Sequence, residues 1–478
     1  MHFKYNKRGI EPKNIESPFN LDELFFSITN PKGIILTGND VFVHVSKFTK
    51  DEMIGKPHNI IRHPDMPRTI FKALWDTIKS GKPFVGYVKN MAKDGSYYWV
   101  LAAVYPIFNN EGEIEKYISI RLKPTSEYFK LIPELYREIL EKEIKEDMDA
   151  AQELLIKKIQ ELGFHTYEDF AKRIFFEEIL NREKLLDQNS NPASCRTNLQ
   201  NILEENLDFI DSLCGLETIF LRINRYFNEI FNKVHTFLDL NEELEKKSNF
   251  IFGLAEDIRL LSLNASIESY KVKKEGVSFS TLSHEMRKNA EISERKVLEM
   301  NRLINEAKKD IEGIGFNILT LKLNIEMIVF FIKEMIVNFS DKEIGEKEEN
   351  EITNNINELF QLMQLYVTEL QKSMFASKNM LRSILYNISE LNILINRLDF
   401  IHINGMIESA HTEEEEGGFH IIFSQMLHLI ERAKQEIINL EHSLFDATEE
   451  NTTVFTITNI AIQKINQAKK RFSHLLVG

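Results

Sequence analysis

Proline is missing from everything beyond Pro192, although the chain has eleven. A long proline-free stretch rich in Leu, Ile, Glu, Lys and Asn can run as uninterrupted helices, since no residue in it lacks a backbone donor. Tryptophan is as lopsided, with only Trp75 and Trp99, both early. Cysteine is scarce: Cys195 and Cys214 have no second thiol or histidine at metal-ligand spacing. No disulfide framework or zinc site is therefore expected, and both are read as reduced thiols on a helix. A basic excess is lacking too. The net charge of −14 argues against a nucleic-acid binder, which needs a concentrated basic face. The most apolar run, 323–339, is broken by Glu326, Lys333 and Glu334 and is shorter than the roughly 20 residues that cross a bilayer. The basic N-terminus has no apolar core after it, so no secretory signal is visible. A cytoplasmic protein is expected.

At 478 residues the chain is too long for one compact core. Residues 25–123 have the pattern of a small mixed α/β domain. A short strand at 25–30 runs into Asn30-Pro31-Lys32-Gly33, with proline and glycine where a type I turn prefers them, and 34–36 return. Short helices are expected at 40–48 and 67–79, and strands at 84–89, 97–107 and 114–123. Asp94-Gly95 and Asn110-Glu111-Gly112 supply turns. Five strands split two and three by short helices is the order of a PAS domain.

The stretch His58-Asn59-Ile60-Ile61-Arg62-His63-Pro64-Asp65-Met66-Pro67 resembles the matching segment of bacterial aerotaxis receptors. Phe71 to Trp75, Gly81-Lys82-Pro83, Val88-Lys89-Asn90, Asp94-Gly95, Tyr97 to Val100 and Ser119-Ile120-Arg121 extend the likeness over about a quarter of the chain. In that family the PAS domain holds FAD non-covalently and its redox state is the signal. The resemblance implies Asn39, His58, Arg62, His63, Asp65, Trp75 and Asn90 as the pocket. Chemistry agrees in outline: a flavin wants an apolar slot, an aromatic wall (Trp75), an amide at the ring edge (Asn90) and cations (Arg62, His63). Alone, the Arg62-His63-Asp65 cluster would read as a local ion pair shaped by two prolines, with Trp75 as core. PAS folds also hold haem, small acids or nothing, and those alternatives stay open. No nucleophile–base pair, phosphate-binding glycine loop or metal motif is visible, so no enzyme is expected.

Residues 128–186 read as helices flanking the sensor. Gly163 can end one, and Thr166 with Asp169 can open the next. Asn189-Ser190-Asn191-Pro192 is the linker candidate. Leu213, Leu216, Phe220, Ile223, Phe227, Ile230, Val234 and Phe237 then alternate steps of three and four, a coiled-coil-like seam. Leu260-Leu261-Ser262-Leu263-Asn264-Ala265-Ser266-Ile267-Glu268, a turn with Glu275-Gly276, Phe279 and His284-Glu285-Met286-Arg287-Lys288 resemble the hairpin tip of methyl-accepting chemotaxis receptors. That tip binds the chemotaxis histidine kinase and its coupling protein, which implies Asn264, Glu268, Phe279, Glu285 and Arg287 as contact residues. Lys271 and Ile292 depart from family arginines, and the turn is less glycine-rich. No pair of Glu/Gln methylation sites flanked by small residues is evident.

A second copy lies 140 residues on: Asn264, Ile267, Glu268, Ser269, Glu275, Phe279 and Met286 recur as Asn404, Ile407, Glu408, Ser409, Glu415, Phe419 and Met426. Such a repeat without a gap points to a duplicated hairpin. Gln425 and Leu427 replace Glu285 and Arg287, and His402, His411, His420 and His428 read as exposed surface histidines. The expected architecture is an α+β PAS domain (15–125), a helical connector (126–194) and two hairpins, 195–340 with its tip at 264–279 and 350–478 with its tip at 404–419. The hairpins would form an elongated antiparallel four-helix bundle within one chain, with arms roughly 90 Å long at about 1.5 Å per residue. The charged segment 341–350 would make the turn opposite the tips. The functional expectation is an aerotaxis or energy-taxis transducer acting on the kinase and coupling protein, in company with other receptors. The alternative is a PAS-containing accessory of receptor arrays without kinase control.

Overall fold

Five strands form one antiparallel sheet in the computed structural model, which describes residues 10–187, 206–271, 276–339, 342–411 and 417–472. They are β1 (Phe25–Thr29), β2 (Ile35–Gly38), β3 (Phe84–Met91), β4 (Tyr97–Phe108) and β5 (Ile114–Leu122), in spatial order β2-β1-β5-β4-β3. The β1–β2 turn forms at 30–33. Asn30 Oδ1 accepts from the N–H groups of Lys32 and Ile34, and Gly33 takes the φ of +75° that a side chain resists. Between β2 and β3 lie α1 (Asp40–Ser46), α2 (Lys50–Met53), a 3-10 turn (His58–Ile61) and α3 (Arg68–Lys79). The sequence reading has no counterpart to α2. It is a four-residue helix opened by a Thr49–Glu52 capping box.

Strand alternation divides the sheet into two faces. Ser27, Val88, Val104 and Tyr117 line a cavity on one side. Their chain neighbours Phe26, Tyr87, Tyr105 and Lys116 meet helices instead: Phe26 packs edge-on against Phe331 at 5.2 Å, Tyr105 against Tyr366 at 5.3 Å, and Lys116 pairs with Glu358. The sheet is thus a wall one residue thick between the cavity and the helices.

Three connector helices follow, α4 (Glu127–Lys145), α5 (Met148–Glu161) and α6 (Tyr167–Asp187). Gly163 adopts a φ of +89°, and the Thr166 and Asp169 side chains exchange hydrogen bonds with each other's backbone N–H at the start of α6. Glu178 of α6 is fully buried. It accepts from the hydroxyls of Tyr87, Thr125 and Ser126 and from two backbone N–H groups that open α4.

Four long helices complete the chain: α7 (Leu207–Lys271), α8 (Gly276–Asn338), α9 (Glu346–His411) and α10 (Gly417–Arg471). Of the seam on α7, Leu213, Leu216, Phe220, Ile223, Phe227 and Ile230 are all buried, while the Val234 and Phe237 side chains lie outside the described ones. The linker 189–192 and Glu275 and Glu415 at the two tips also lie outside the described residues. One window of α8 is long and apolar enough to cross a membrane, but 78% of it is buried within the protein.

Several expectations are corrected. The turn between α8 and α9 is shorter than 341–350, because α9 starts at Glu346. Glu346, Glu348 and Glu349 fill its first turn, where acids favour the positive end of the helix dipole. His402 is buried rather than exposed, whereas His420 and His428 are exposed. Cys214 is disulfide-bonded, not a reduced thiol. By its internal contacts the chain divides into two compact units: one comprises 1–228, 318–367 and 461–478, the other 229–317 and 368–460. The sheet's packing on α8 and α9 draws the near ends of those helices into the sensor's unit. In the second unit, Lys233 pairs with Glu450 at 2.9 Å, and Asn289 donates to the Leu394 carbonyl at 2.9 Å.

Candidate functional site

The cavity holds about 220 Å³ between the sheet, the 3-10 turn and α3. Its floor is a band of alternate strand residues that includes Ser27 on β1, Asn90 on β3 and Ser119 and Arg121 on β5. Registry brings them together: Ser27 pairs with Ser119, and Ala102 with Arg121. The walls are Phe71, Leu74, Trp75 and Ile78 of α3, with Tyr117 edge-on to Trp75 at 5.8 Å. A Cβ on Gly33 would sit 3.0 Å from the Trp75 ring, so the glycine lets the indole lie against the β1–β2 turn.

Electrostatically the cavity is one-sided. Lys32, Arg62 and Arg121 line it, and the described lining has no carboxylate. Arg121 is buried, with its guanidinium 5.2 Å from the Phe42 ring centre, and desolvation pulls it down to about 10. Its Nη2 donates to Ser27 Oγ at 2.8 Å and to His58 Nε2 at 2.7 Å. Burial, and secondarily the Arg121 charge, push His58 down to about 3, so its ring is neutral. Arg62 donates to the Met66 carbonyl at 3.0 Å and lies 4.1 Å from the centre of the Phe71 ring.

Three buried polar atoms here have no hydrogen-bond partner among the described residues: Asn90 Nδ2, Arg121 Nη1 and Ser119 Oγ. Buried donors left unpaired each cost about 1–3 kcal/mol. Three on one cavity could be satisfied together by a ligand that carries acceptors.

Of the residues expected at the pocket, His58, Arg62, Trp75 and Asn90 come together on this cavity, and Asn39, His63 and Asp65 do not. Asn39 is buried behind β1, where its amide accepts from Phe26 N–H and donates to the Leu24 carbonyl and to Glu334. His63 Nδ1 accepts from Asp65 N–H, and the Asp65 carboxylate pairs with Lys89 at 2.7 Å. Those two residues shape the loop before α3. Sequence reasoning missed Ser27, Ser119 and Arg121 as pocket residues; the period of two along β5, Tyr117-Ser119-Arg121, was the signal that could have found them.

At the first tip Asn264, Glu285 and Arg287 are exposed and Glu268 is half-buried. Phe279 is buried, because it stands seven residues from the equally buried Met286 on the inward seam. Leu260, Leu263 and Ile267 form an exposed apolar stripe on α7, and Phe400, Ile403 and Ile407, each 140 residues on, repeat it on α9. No group of metal-ligating side chains occurs among the described residues.

A family model described as PAS fold matches residues 35–121. The aerotaxis receptor of Escherichia coli (strain K12) is 42% identical over 121 residues, 25% of this chain and 24% of that protein. The nitrogen fixation regulatory protein of Klebsiella pneumoniae is 25% identical over 95 residues, 20% of this chain and 19% of that protein. A light-state structure of the blue-light photoreceptor Aureochrome1 LOV is 24% identical, covers 22% of this chain and 86% of its own, and gives a TM-score of 0.21. The chain spans about a quarter or less of these two curated relatives' length. Its N-terminal region is a PAS domain similar to that of the aerotaxis receptor, followed by a mostly helical region.

Proposed function

We propose that this chain is a cytoplasmic sensory transducer whose PAS cavity holds a flavin, FAD by its likeness to the aerotaxis receptor, and that it signals rather than turns over substrate. The observation that carries the reading is the convergence of Asn90, Ser119 and Arg121 on one apolar, aromatic-walled cavity with no acidic lining. Donors at the floor suit the carbonyl and nitrogen edge of a flat heterocycle, and Trp75 with Tyr117 suits its faces. The volume lies below the about 300–1,000 Å³ of typical ligand pockets, which fits the ring portion of a dinucleotide. A bound flavin supplies a redox centre whose charge and hydrogen-bonding capacity change with oxidation state. Arg121 holds a fixed positive charge against that centre, while neutral His58 orients Arg121. A shift of either side chain moves β1 or β5, whose opposite-face residues bear on α8 and α9, so two arrangements of the sheet load the helices differently.

For output, the first hairpin exposes the apolar stripe Leu260, Leu263 and Ile267 with Asn264 on α7, and the charged Glu285 and Arg287 on α8. That surface fits the chemotaxis histidine kinase and its coupling protein. Absorption spectra of the purified full chain test the input: flavin bands are expected, and haem bands or a blank would overturn the cofactor. A pull-down with the coupling protein, repeated with Glu285→Ala and Arg287→Ala, tests the output. Capture indifferent to both changes would favour an array accessory.

A further inference from the structure

Glu334 stands on the face of α8 that meets the sensor. Within the same unit, Glu326 one face-repeat earlier pairs with Arg182 of α6, Phe331 packs on Phe26, and Asn338 donates to Asp40 at 2.6 Å. Glu334 Oε1 accepts from the Val41 N–H at 3.1 Å, and Oε2 accepts from Asn39 Nδ2 at 3.0 Å. Asn39 in turn accepts from the N–H of Phe26, whose neighbour Ser27 lines the cavity. One carboxyl therefore grips the start of α1 and, through a single amide, strand β1. The charges acting on it are Asp40 on α1 and Glu23 ahead of β1, both acidic. Lys333 is turned to Glu217 of α7, and Lys50 near α1 is held by Glu351 of α9.

We propose that Glu334 is a proton-dependent latch between the PAS domain and α8, giving the transducer a pH input besides its cavity ligand. A mostly buried carboxyl flanked by two acids docks more readily with a proton than without one. Burial first, then Asp40 and Glu23, pushes Glu334 up to about 7, against partial relief from its hydrogen bonds to Asn39 and Val41. Undocked and solvated, it returns to the ordinary glutamate value of 4.5. The docked form binds the proton more tightly, so this stabilisation is fully present below the undocked value and is lost as pH rises through the docked one. Between roughly pH 6 and 8 the docking constant falls about tenfold.

The latch does not depend on which ligand fills the cavity. Hydrogen exchange of the full chain at pH 6 and pH 8, corrected for intrinsic rates, reads it in peptides covering 24–46 and 326–338. Protection in both is expected to drop about tenfold across that range. In Glu334→Gln, which keeps a carbonyl acceptor and carries no charge, protection should be flat with pH. Asp40→Asn, which removes one acidic neighbour, should move the wild-type transition to lower pH. Equal protection at both pH values in the wild type, or the same pH dependence in Glu334→Gln, overturns the latch. The cavity ligand's spectrum, recorded on the same samples, separates that failure from failure of the flavin reading.

Discussion

Nη2 of Arg121 lies 2.7 Å from Nε2 of His58, and since a guanidinium only donates, His58 must accept with a bare Nε2. The imidazole is therefore neutral and carries its hydrogen on Nδ1. The ring stacks 5.9 Å from Phe42 and adds no charge beside Arg121.

That pairing sets a pH dependence. His58 is held down at about 3 in the folded protein against 6.5 when unperturbed. The unfolded chain takes up the proton first, so the stability this group contributes is present above pH 6.5 and lost as pH falls toward 3. The His58 ring should show no titration by NMR between about pH 5 and 8. His58→Gln should flatten the acid side of the unfolding curve; an unchanged acid limb would contradict the neutral assignment.

Arg121→Met should abolish retention of the cavity ligand while leaving the fold intact. Methionine removes the desolvation cost of a buried cation, which offsets the hydrogen bonds that Ser27 and His58 lose. Near-UV circular dichroism and the melting temperature report the fold, and the absorption spectrum reports the ligand. Loss of both together would make Arg121 a structural residue only.

Glu178→Gln should destabilise the PAS domain and the start of α4 together. Its carboxylate accepts from Tyr87, Thr125 and Ser126, and an amide offers only one oxygen for them. At about 1–3 kcal/mol per orphaned buried group, a lower midpoint in urea unfolding is expected. A midpoint shifted by less than about 0.5 kcal/mol equivalent would show that water replaces the lost acceptor.

Gly405→Ala tests the second hairpin. A Cβ there would run into the Phe423 ring, so α9 and α10 approach closely only because position 405 is glycine. In the first copy the corresponding positions are Ala265 and Ser283, a slightly larger residue with a far smaller one. The substitution should cost about 1–3 kcal/mol by overpacking, and Phe423→Ser in the same chain should recover part of it. Additive losses in the double variant would refute the compensation.

Periodicity made much of this legible beforehand. The five strands follow from alternation between turn residues, and the four long helices follow from proline's absence and steps of three and four. The 140-residue repeat was visible as identities, and its meaning sharpened when Leu260, Leu263 and Ile267 proved exposed like Phe400, Ile403 and Ile407. His58 and Arg62 reach the cavity from the run 58–67, and Trp75 and Asn90 from separate segments downstream that extend the same likeness. Arg121 was overlooked because it reaches the pocket through strand pairing across most of the domain, and pairing is non-local.

The sequence by itself determined the local structure: where helices and strands lie, and which faces are apolar, because those depend on neighbours within a few residues. It could not decide what each face meets. Only the tertiary structure placed Asn39 behind β1 against Glu334, Phe279 on an inward seam, and the sheet between cavity and helices. Those outcomes are set by burial and by pairing between groups hundreds of residues apart, where desolvation and hydrogen-bond satisfaction choose the partner.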